Sequence, residues 1–334
     1  MADSVLAGAG RPGGNAVGRS RRARTPREAK PAPPPPVQPS IRRAVEAARA
    51  NARAVLTPTG ARGAVVETVW TAAHLALYPL GLLRERQQLF DRFDLEGLGP
   101  AQRGLMVGDV EAAGTPILML HGLADNRAIF AVLRRTLRRR GFGTLITANL
   151  SPTIKDIRAG ARDLARQVEE ICAATGYERI HVIGHSMGGL IGRYYVQCLG
   201  GDERVHTLVT LGTPHGGTVP ARLLPTRLGR QLAPGSDLLT ELDRPAAGCG
   251  TRFVAFWSDL DQLVLPHESG RLLHPDLRVR NVEVRGVGHM SLPIDGWVAH
   301  QISTTLSQLD ASGTVVPDPV RREDGGAAAA TAAR

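Results

Sequence analysis

Cysteine is scarce: among 334 residues only Cys172, Cys198 and Cys249 are present. Three scattered thiols make neither a disulfide framework nor a metal-ligand spacing. Cys172 and Cys198 fall in helical stretches and read as small core residues, and a disulfide involving Cys249 is the one cross-link left open. No His/Cys/Asp cluster has metal-ligand spacing either, so no catalytic metal and no cofactor are expected. Aromatic residues make up only 4% of the chain. Lysine is nearly missing, with only Lys30 and Lys155 present, so the basic residues are almost all arginine. With the abundance of Ala, Gly and Pro, this reflects GC-rich coding and says nothing of function. The first 40 residues contain no apolar run of the kind a secretory leader has. Arg21-Arg22 is not followed closely by an apolar segment, which argues against a twin-arginine signal. A cytoplasmic or membrane-associated protein is expected.

What is present is enough for one large domain with flanking segments. Apolar residues make up 43% of the chain, an ordinary share. The net charge of +10 resembles a nucleic-acid signature until it is located. Residues 1–62 carry twelve basic and three acidic residues, so +9 of the charge sits there and the body is near neutral. The charge belongs to a tail, and no nucleic-acid partner is expected. Residues 1–40, rich in Gly, Arg and Pro, cannot bury enough apolar surface to offset chain entropy and read as disordered. Residues 41–103 read as a helical, partly apolar segment. Within it, residues 64–83 have the length of a membrane span. Glu67 and His74 inside that stretch, and Pro79 breaking its end, favour a helix packed on the following domain over a plain span. A membrane-apposed helix is the alternative, with peripheral contact to anionic headgroups through the upstream arginines. On this reading, residues 1–62 are dispensable for the chemistry of the domain that follows.

From about residue 104 the pattern alternates. Strands are expected at 104–110, 116–120, 144–148, 179–183, 206–211, 253–257 and 279–287. Helices are expected at 128–140, 154–174, 190–199 and 297–309. Continuous apolar runs such as Pro116–Leu120 suit strands buried on both faces. The alternation implies an α/β domain over 104–312, with a mostly parallel sheet and helices on both faces. Residues 218–248 are irregular and Leu-rich, and 313–334 read as a disordered C-terminal tail.

The chemistry is carried by Ile180-His181-Val182-Ile183-Gly184-His185-Ser186-Met187-Gly188-Gly189, a Gly-x-Ser-x-Gly between a buried strand and a helix. A serine at so sharp a turn needs strained backbone angles, and flanking side chains would clash, hence Gly184 and Gly188. The following helix turns its positive end to the site.

With this elbow, residues 104–310 resemble the α/β-hydrolase superfamily, specifically bacterial lipases and esterases. Leu118-Met119-Leu120-His121-Gly122, followed by Leu123-Ala124-Asp125-Asn126, resembles the family's oxyanion turn. Gly189-Leu190 and Arg193-Tyr194 extend the elbow as in many lipases. Leu211-Gly212-Thr213-Pro214-His215-Gly216-Gly217 resembles a segment characteristic of lipases. The later blocks around Asp261 and His289 complete the resemblance. It implies an α/β-hydrolase fold and a nucleophile, acid, histidine chain order.

Ser186 is therefore the expected nucleophile. His289, in Gly286-Val287-Gly288-His289-Met290-Ser291, is the expected general base and acid. The orienting acid lies in Ser258-Asp259-Leu260-Asp261-Gln262-Leu263-Val264. The family pattern Asp-x-x-Val selects Asp261, with Asp259 as the fallback. The oxyanion donors are the backbone N–H groups of Met187 and Leu123. His121, His185 and His215 belong to turn motifs and are expected to hold loops. Some bacterial lipases carry a structural calcium, but no matched motif here supplies its ligands.

The implied function is serine-dependent hydrolysis of carboxylic esters through an acyl-enzyme, on a lipid or small ester substrate. Thioesterase, acyltransferase and phospholipid or inositol-lipid deacylase activities use the same triad and stay open. A catalytically silent binding module is the non-enzymatic alternative. The leucines of 218–248 read either as an acyl-chain wall or lid, or as a core-facing stripe on a crossover helix.

Overall fold

The computed structural model describes residues 40–83, 110–123, 127–148 and 154–308. The expected tails and the strand expected at 104–110, save for Val110, lie outside the described residues. So do residues 124–126 of the expected oxyanion turn.

Two helices precede the sheet. Helix α1 spans Ile41–Ala54, with the Ser40 hydroxyl accepting from the Arg43 N–H at its start. Helix α2 spans Pro58–Leu83, with proline at its first position, where the missing N–H costs nothing. It continues through Pro79 instead of ending there. Proline only four residues from the end removes one intrahelical bond and leaves the last turn intact. Among the described residues no helix is long and apolar enough to cross a membrane.

A short helix α3, Val110–Gly114, leads into strand β1, Ile117–Leu120. Then follow α4 (Ala131–Arg139), β2 (Leu145–Thr147), α5 (Ile157–Thr175), β3 (Ile180–His185) and α6 (Met187–Cys198). Strand β4 (Val205–Leu211), the short helices α7 (Arg227–Leu232) and α8 (Asp237–Leu242), β5 (Arg252–Ser258), β6 (Arg278–Val284) and α9 (Gly296–Leu306) complete the order. The six strands form one sheet in the order β2-β1-β3-β4-β5-β6, and every pairing is parallel.

Alternation along the strands divides the core. Leu118, Leu120 and Val182 face one side, against Leu164 and Val168 of α5 and Leu190 and Ile191 of α6. Ile117, Met119 and Ile183 face the other, against Leu133 and Leu137 of α4 and Val298 and Ile302 of α9. Burial on both faces explains why these strands read as unbroken apolar runs. Strand order reverses between β1 and β3, and in such sheets the crevice at the carboxyl ends of the strands on either side of that point takes the ligand.

The leucines of 218–248 divide. Leu228, Leu232, Leu238, Leu239 and Leu242 join the core, while Leu223 and Leu224 are exposed. Cys198 departs from expectation: as the last residue of α6 it is exposed, whereas Cys172 is buried. All three cysteines are free, Cys249 included.

Polar clips pin this segment to α5. The Arg158 guanidinium forks onto Glu241, Nε to Oε2 at 2.9 Å and Nη2 to Oε1 at 2.8 Å, and the Tyr194 hydroxyl donates to the same carboxylate at 3.0 Å. Asp156 caps α5 and accepts from Gln231 Nε2 at 2.8 Å, with Arg227 on its other oxygen. The Arg158 hydrogen bond holds the Glu241 carboxyl below its ordinary value, against partial burial, with Tyr194 and the Arg158 charge adding to it.

A depressed folded-state value means stabilisation that is complete above the ordinary carboxylate range and lost as pH falls through the folded value. In urea unfolding, the stability gap between the native protein and Glu241→Gln is therefore expected to stay constant from about pH 7 to 5. It should shrink towards zero below about pH 4. A gap that widens on acidification contradicts this account of the clip.

Candidate active site

Strand β3 runs into Ser186 and α6 starts at the next residue, so the serine stands where strand becomes helix. Its backbone lies at φ 53°, ψ −124°, and among the described residues no other non-glycine has a positive φ. Such a conformation costs on the order of 1–3 kcal/mol and persists only where the surroundings enforce it. Here the Ser186 N–H donates to the Leu211 carbonyl at 2.9 Å, and its carbonyl accepts from Thr213 Oγ1 at 2.9 Å and Gly189 N at 3.1 Å.

The glycines of the elbow are required by proximity. A Cβ on Gly184 would lie 2.5 Å from the backbone of Gly189, and one on Gly188 would lie 2.4 Å from the Leu120 carbonyl oxygen. Gly122, at the end of β1, comes so close to the serine that a Cβ there would sit 2.9 Å from Ser186 Cβ. This contact crosses the point where strand order reverses. Met187 follows Ser186 as the first residue of α6, where backbone N–H groups have no intrahelical partner. Leu123 follows Gly122 in a turn and is exposed.

The other expected residues come from the ends of β5 and β6. Asp261 and His289 are both buried, and His289 Nδ1 lies 2.7 Å from Asp261 Oδ2. The second carboxylate oxygen accepts from the N–H groups of Leu263 and Val264, each at 2.8 Å. Burial alone would push the Asp261 carboxyl up. The His289 charge and hydrogen bond, with the two backbone donors, outweigh this and hold it below its ordinary value. Asp259 points elsewhere and accepts from the Gly286 N–H at 2.8 Å.

Ser186 and the Asp261–His289 pair share one neighbourhood. The ring of His185, next to the serine, lies 4.8 Å from the ring of His289, and its Nε2 donates to the His289 carbonyl at 3.1 Å. Gly212, at φ 55°, closes the other side: a Cβ there would lie 3.0 Å from His289 Nδ1 and 3.1 Å from Asp261 Oδ2.

The remaining motif histidines hold loops. His121 Nδ1 lies 3.0 Å from the Gly122 carbonyl, and His215 Nε2 lies 2.9 Å from Thr210 Oγ1. Burial, with Arg193 nearby, pushes His215 well below its ordinary value, so it stays neutral. Arg193 is itself buried, which lowers its guanidinium to about 10 despite the opposing Asp243. It donates to the carbonyls of His215 at 3.3 Å and Leu242 at 2.9 Å, joining α6 to the loop after β4 and to the end of α8. Among the described residues no group of three or more His, Cys, Asp and Glu side chains is placed to hold a metal ion.

Sequence reasoning missed two contributors, both in the N-terminal helices. Asn51 Nδ2 donates to the Asp261 carbonyl at 3.0 Å. Glu67 accepts from the N–H groups of Met290 and Ser291, the two residues after His289, at 2.8 and 2.9 Å. The available signal was spacing: Gly60, Gly63 and Glu67 recur at intervals of three and four, one face of a helix.

Residues 115–231 match the family described as alpha/beta hydrolase fold. A triacylglycerol lipase from Pseudarthrobacter phenanthrenivorans is 32% identical over 111 residues, which cover 31% of this chain and 34% of that protein. A triacylglycerol lipase from Vibrio cholerae is 32% identical over 114 residues, covering 33% and 35%. The chain thus spans about a third of the length of the curated relatives it matches. Among solved structures, Aspergillus fumigatus lipase B is similar at a TM-score of 0.53 and 16% identity, covering 64% of this chain and 55% of that one. The mature form of a Bacillus licheniformis lipase is similar at 0.50 and 18%, covering 59% and 93%. A six-stranded parallel sheet in this order, with the matched segment running from β1 through the serine turn, gives the chain the α/β-hydrolase fold.

Proposed function

We propose that this protein is a serine-dependent carboxylic ester hydrolase acting on lipid-like acyl esters. The observation that carries the proposal is the strained Ser186 turn set beside a buried Asp261–His289 pair. An inert turn has no need of a strained serine, and a buried carboxylate–imidazole pair away from any reaction is an expensive way to join two loops. The similarity to triacylglycerol lipases supports the same reading.

In the proposed cycle His289 takes the proton of Ser186 as its Oγ attacks the ester carbonyl. The tetrahedral oxyanion is held by the N–H groups of Met187 and Leu123. His289 then protonates the departing alcohol, and a water activated by the same imidazole releases the acid. Asp261 fixes the tautomer in which Nε2 is the acceptor, and it stabilises the imidazolium. Its Oδ1, held by two backbone N–H groups, keeps the carboxylate ionised and correctly turned.

Apolar side chains on the loops support a substrate with an acyl chain. Leu123, Leu223, Leu224 and Leu263 are exposed on segments that leave the carboxyl ends of β1, β4 and β5. The 218 segment is tied to the Asp261 loop, because the Thr218 hydroxyl donates to the Leu263 carbonyl at 2.6 Å.

A fluorophosphonate probe is expected to label the protein, and Ser186→Ala to abolish labelling. Across p-nitrophenyl esters of rising chain length, run beside acyl-CoA and phospholipids, medium or long acyl esters should give the highest kcat/KM. Preference for acyl-CoA would instead make the protein a thioesterase or acyltransferase, and absence of labelling would contradict the proposal. Asp261→Asn should lower kcat by roughly 10³–10⁴-fold, as expected when a triad histidine is left in the wrong tautomer. Asp259→Asn keeps an oxygen for the Gly286 N–H and should stay within about tenfold of the native rate. Equal losses in the two variants would contradict the assignment of the acid.

A further inference from the structure

Helix α2 is not a layer of the sheet sandwich, yet it reaches the loop that carries His289. Gly63 lies against that loop so closely that a Cβ would sit 2.3 Å from the Gly286 carbonyl oxygen. One turn later, Glu67 enters a space left by another glycine: a Cβ on Gly288 would sit 2.4 Å from the Glu67 carboxyl carbon. Oε1 of Glu67 accepts from Met290 N at 2.8 Å, and Oε2 accepts from Ser291 N at 2.9 Å and Ser291 Oγ at 2.6 Å. Three donors thus converge on one carboxylate in the two residues after His289. From α1, Asn51 reaches the backbone of Asp261, the partner of that histidine.

We infer that Glu67 is a positioning residue for His289, and that α1 and α2 are a strap holding the base and acid loops in register with Ser186. The inference rests on the proposed role of His289 as general base. Gly286 at φ 71° and Gly288 leave the start of this loop without side-chain restraint. Hydrogen bonds fix the loop: the Gly286 N–H to Asp259 at 2.8 Å, the His289 N–H to Gln262 Oε1 at 3.4 Å, the His289 carbonyl to His185, the Val287 carbonyl to the Ser258 hydroxyl, and the Glu67 clamp. Of these the clamp alone gathers three charge-assisted bonds on one carboxylate directly after His289, which makes it the strongest local restraint on that residue. A general base loses rate steeply when displaced, on the order of 10²-fold for 1 Å. The clamp acts on backbone adjacent to the imidazole-bearing residue, so its loss moves the ring without removing any group that touches substrate. A cut at residue 62 would delete Asn51 and the first turn of α2. The basic tail and the strap are therefore separable only upstream of α1.

The test is Glu67→Gln in the full chain, with Ser291→Ala as a milder second variant and Thr68→Ala as a neighbouring control. The introduced amide offers one oxygen where three donors converged and turns an N–H₂ to the others. Each protein is titrated with fluorophosphonate so that turnover is expressed per labelled site, which removes any loss through misfolding. Glu67→Gln should lower kcat per site by about 10–100-fold with KM within about twofold. Ser291→Ala, which loses one of the three bonds, should lower it by a smaller factor in the same direction. Thr68→Ala, whose exposed hydroxyl bonds only to its own helix at the Ala64 carbonyl, should match the native rate. Native kcat per site in both Glu67→Gln and Ser291→Ala, even with lowered melting temperatures, would overturn the inference and make α2 a stabilising brace only. Labelling of the native protein at Ser186 bears on the hydrolase reading, whereas the ratio of variant to native turnover bears on this one.

Discussion

The 2.7 Å contact between Asp261 and His289 is the constraint around which the rest of the site is built. Both side chains are buried, where an unpaired carboxylate would be driven to its neutral form. His289, by charge and hydrogen bond, together with two backbone donors, outweighs burial and holds the Asp261 carboxyl below its ordinary value, and further bonds keep both residues in place. Leu263 and Val264 donate to the free carboxylate oxygen, Asn51 to the Asp261 carbonyl, and His185 to the His289 carbonyl. Gly212 must be a glycine in part because no Cβ fits comfortably beside the two side chains. Truncating one partner would leave the other buried and unmatched, so the pair is held by mutual need as much as by its own attraction.

The second constraint is backbone strain, and it is met by close packing. Ser186 is held at positive φ by bonds to Leu211, Thr213 and Gly189, and by glycines at 122, 184, 188 and 189 that let three chain segments nearly touch. The parallel sheet makes this possible, since β1, β3, β4, β5 and β6 all end at the same edge. The turn after β1, Ser186 and the Asp261–His289 pair therefore arrive from different parts of the chain without any long excursion. The preceding helices close the arrangement from the other side of the histidine loop.

What was legible in the sequence follows from locality. Strands buried on both faces write themselves as apolar runs, and a turn that admits only glycine writes itself as Gly184 and Gly188. Chain order and motif together led to His289. The Asp-x-x-Val pattern favoured Asp261 over Asp259, and three dimensions add the reason: β5 ends at Ser258, Asp259 turns to the Gly286 N–H, and Asp261 lies 2.7 Å from the imidazole. Glu67 was legible as an awkward charge in an apolar helix, but not as a clamp, because Met290 lies 223 residues away in the chain. Cys198 misled because helical composition does not tell which residue comes last, and α6 ends on it. Pro79 misled because a proline near a helix end need not end it.

The central claim is that these strand ends assemble one acyl-transfer site around Ser186. A crystal structure of the fluorophosphonate adduct tests it most directly. The account predicts phosphorus bonded to Ser186 Oγ, with one phosphoryl oxygen within about 3 Å of the backbone nitrogens of Met187 and Leu123, and His289 Nε2 facing the bridging oxygen. An adduct on another residue, or one whose phosphoryl oxygen faces neither nitrogen, would contradict it.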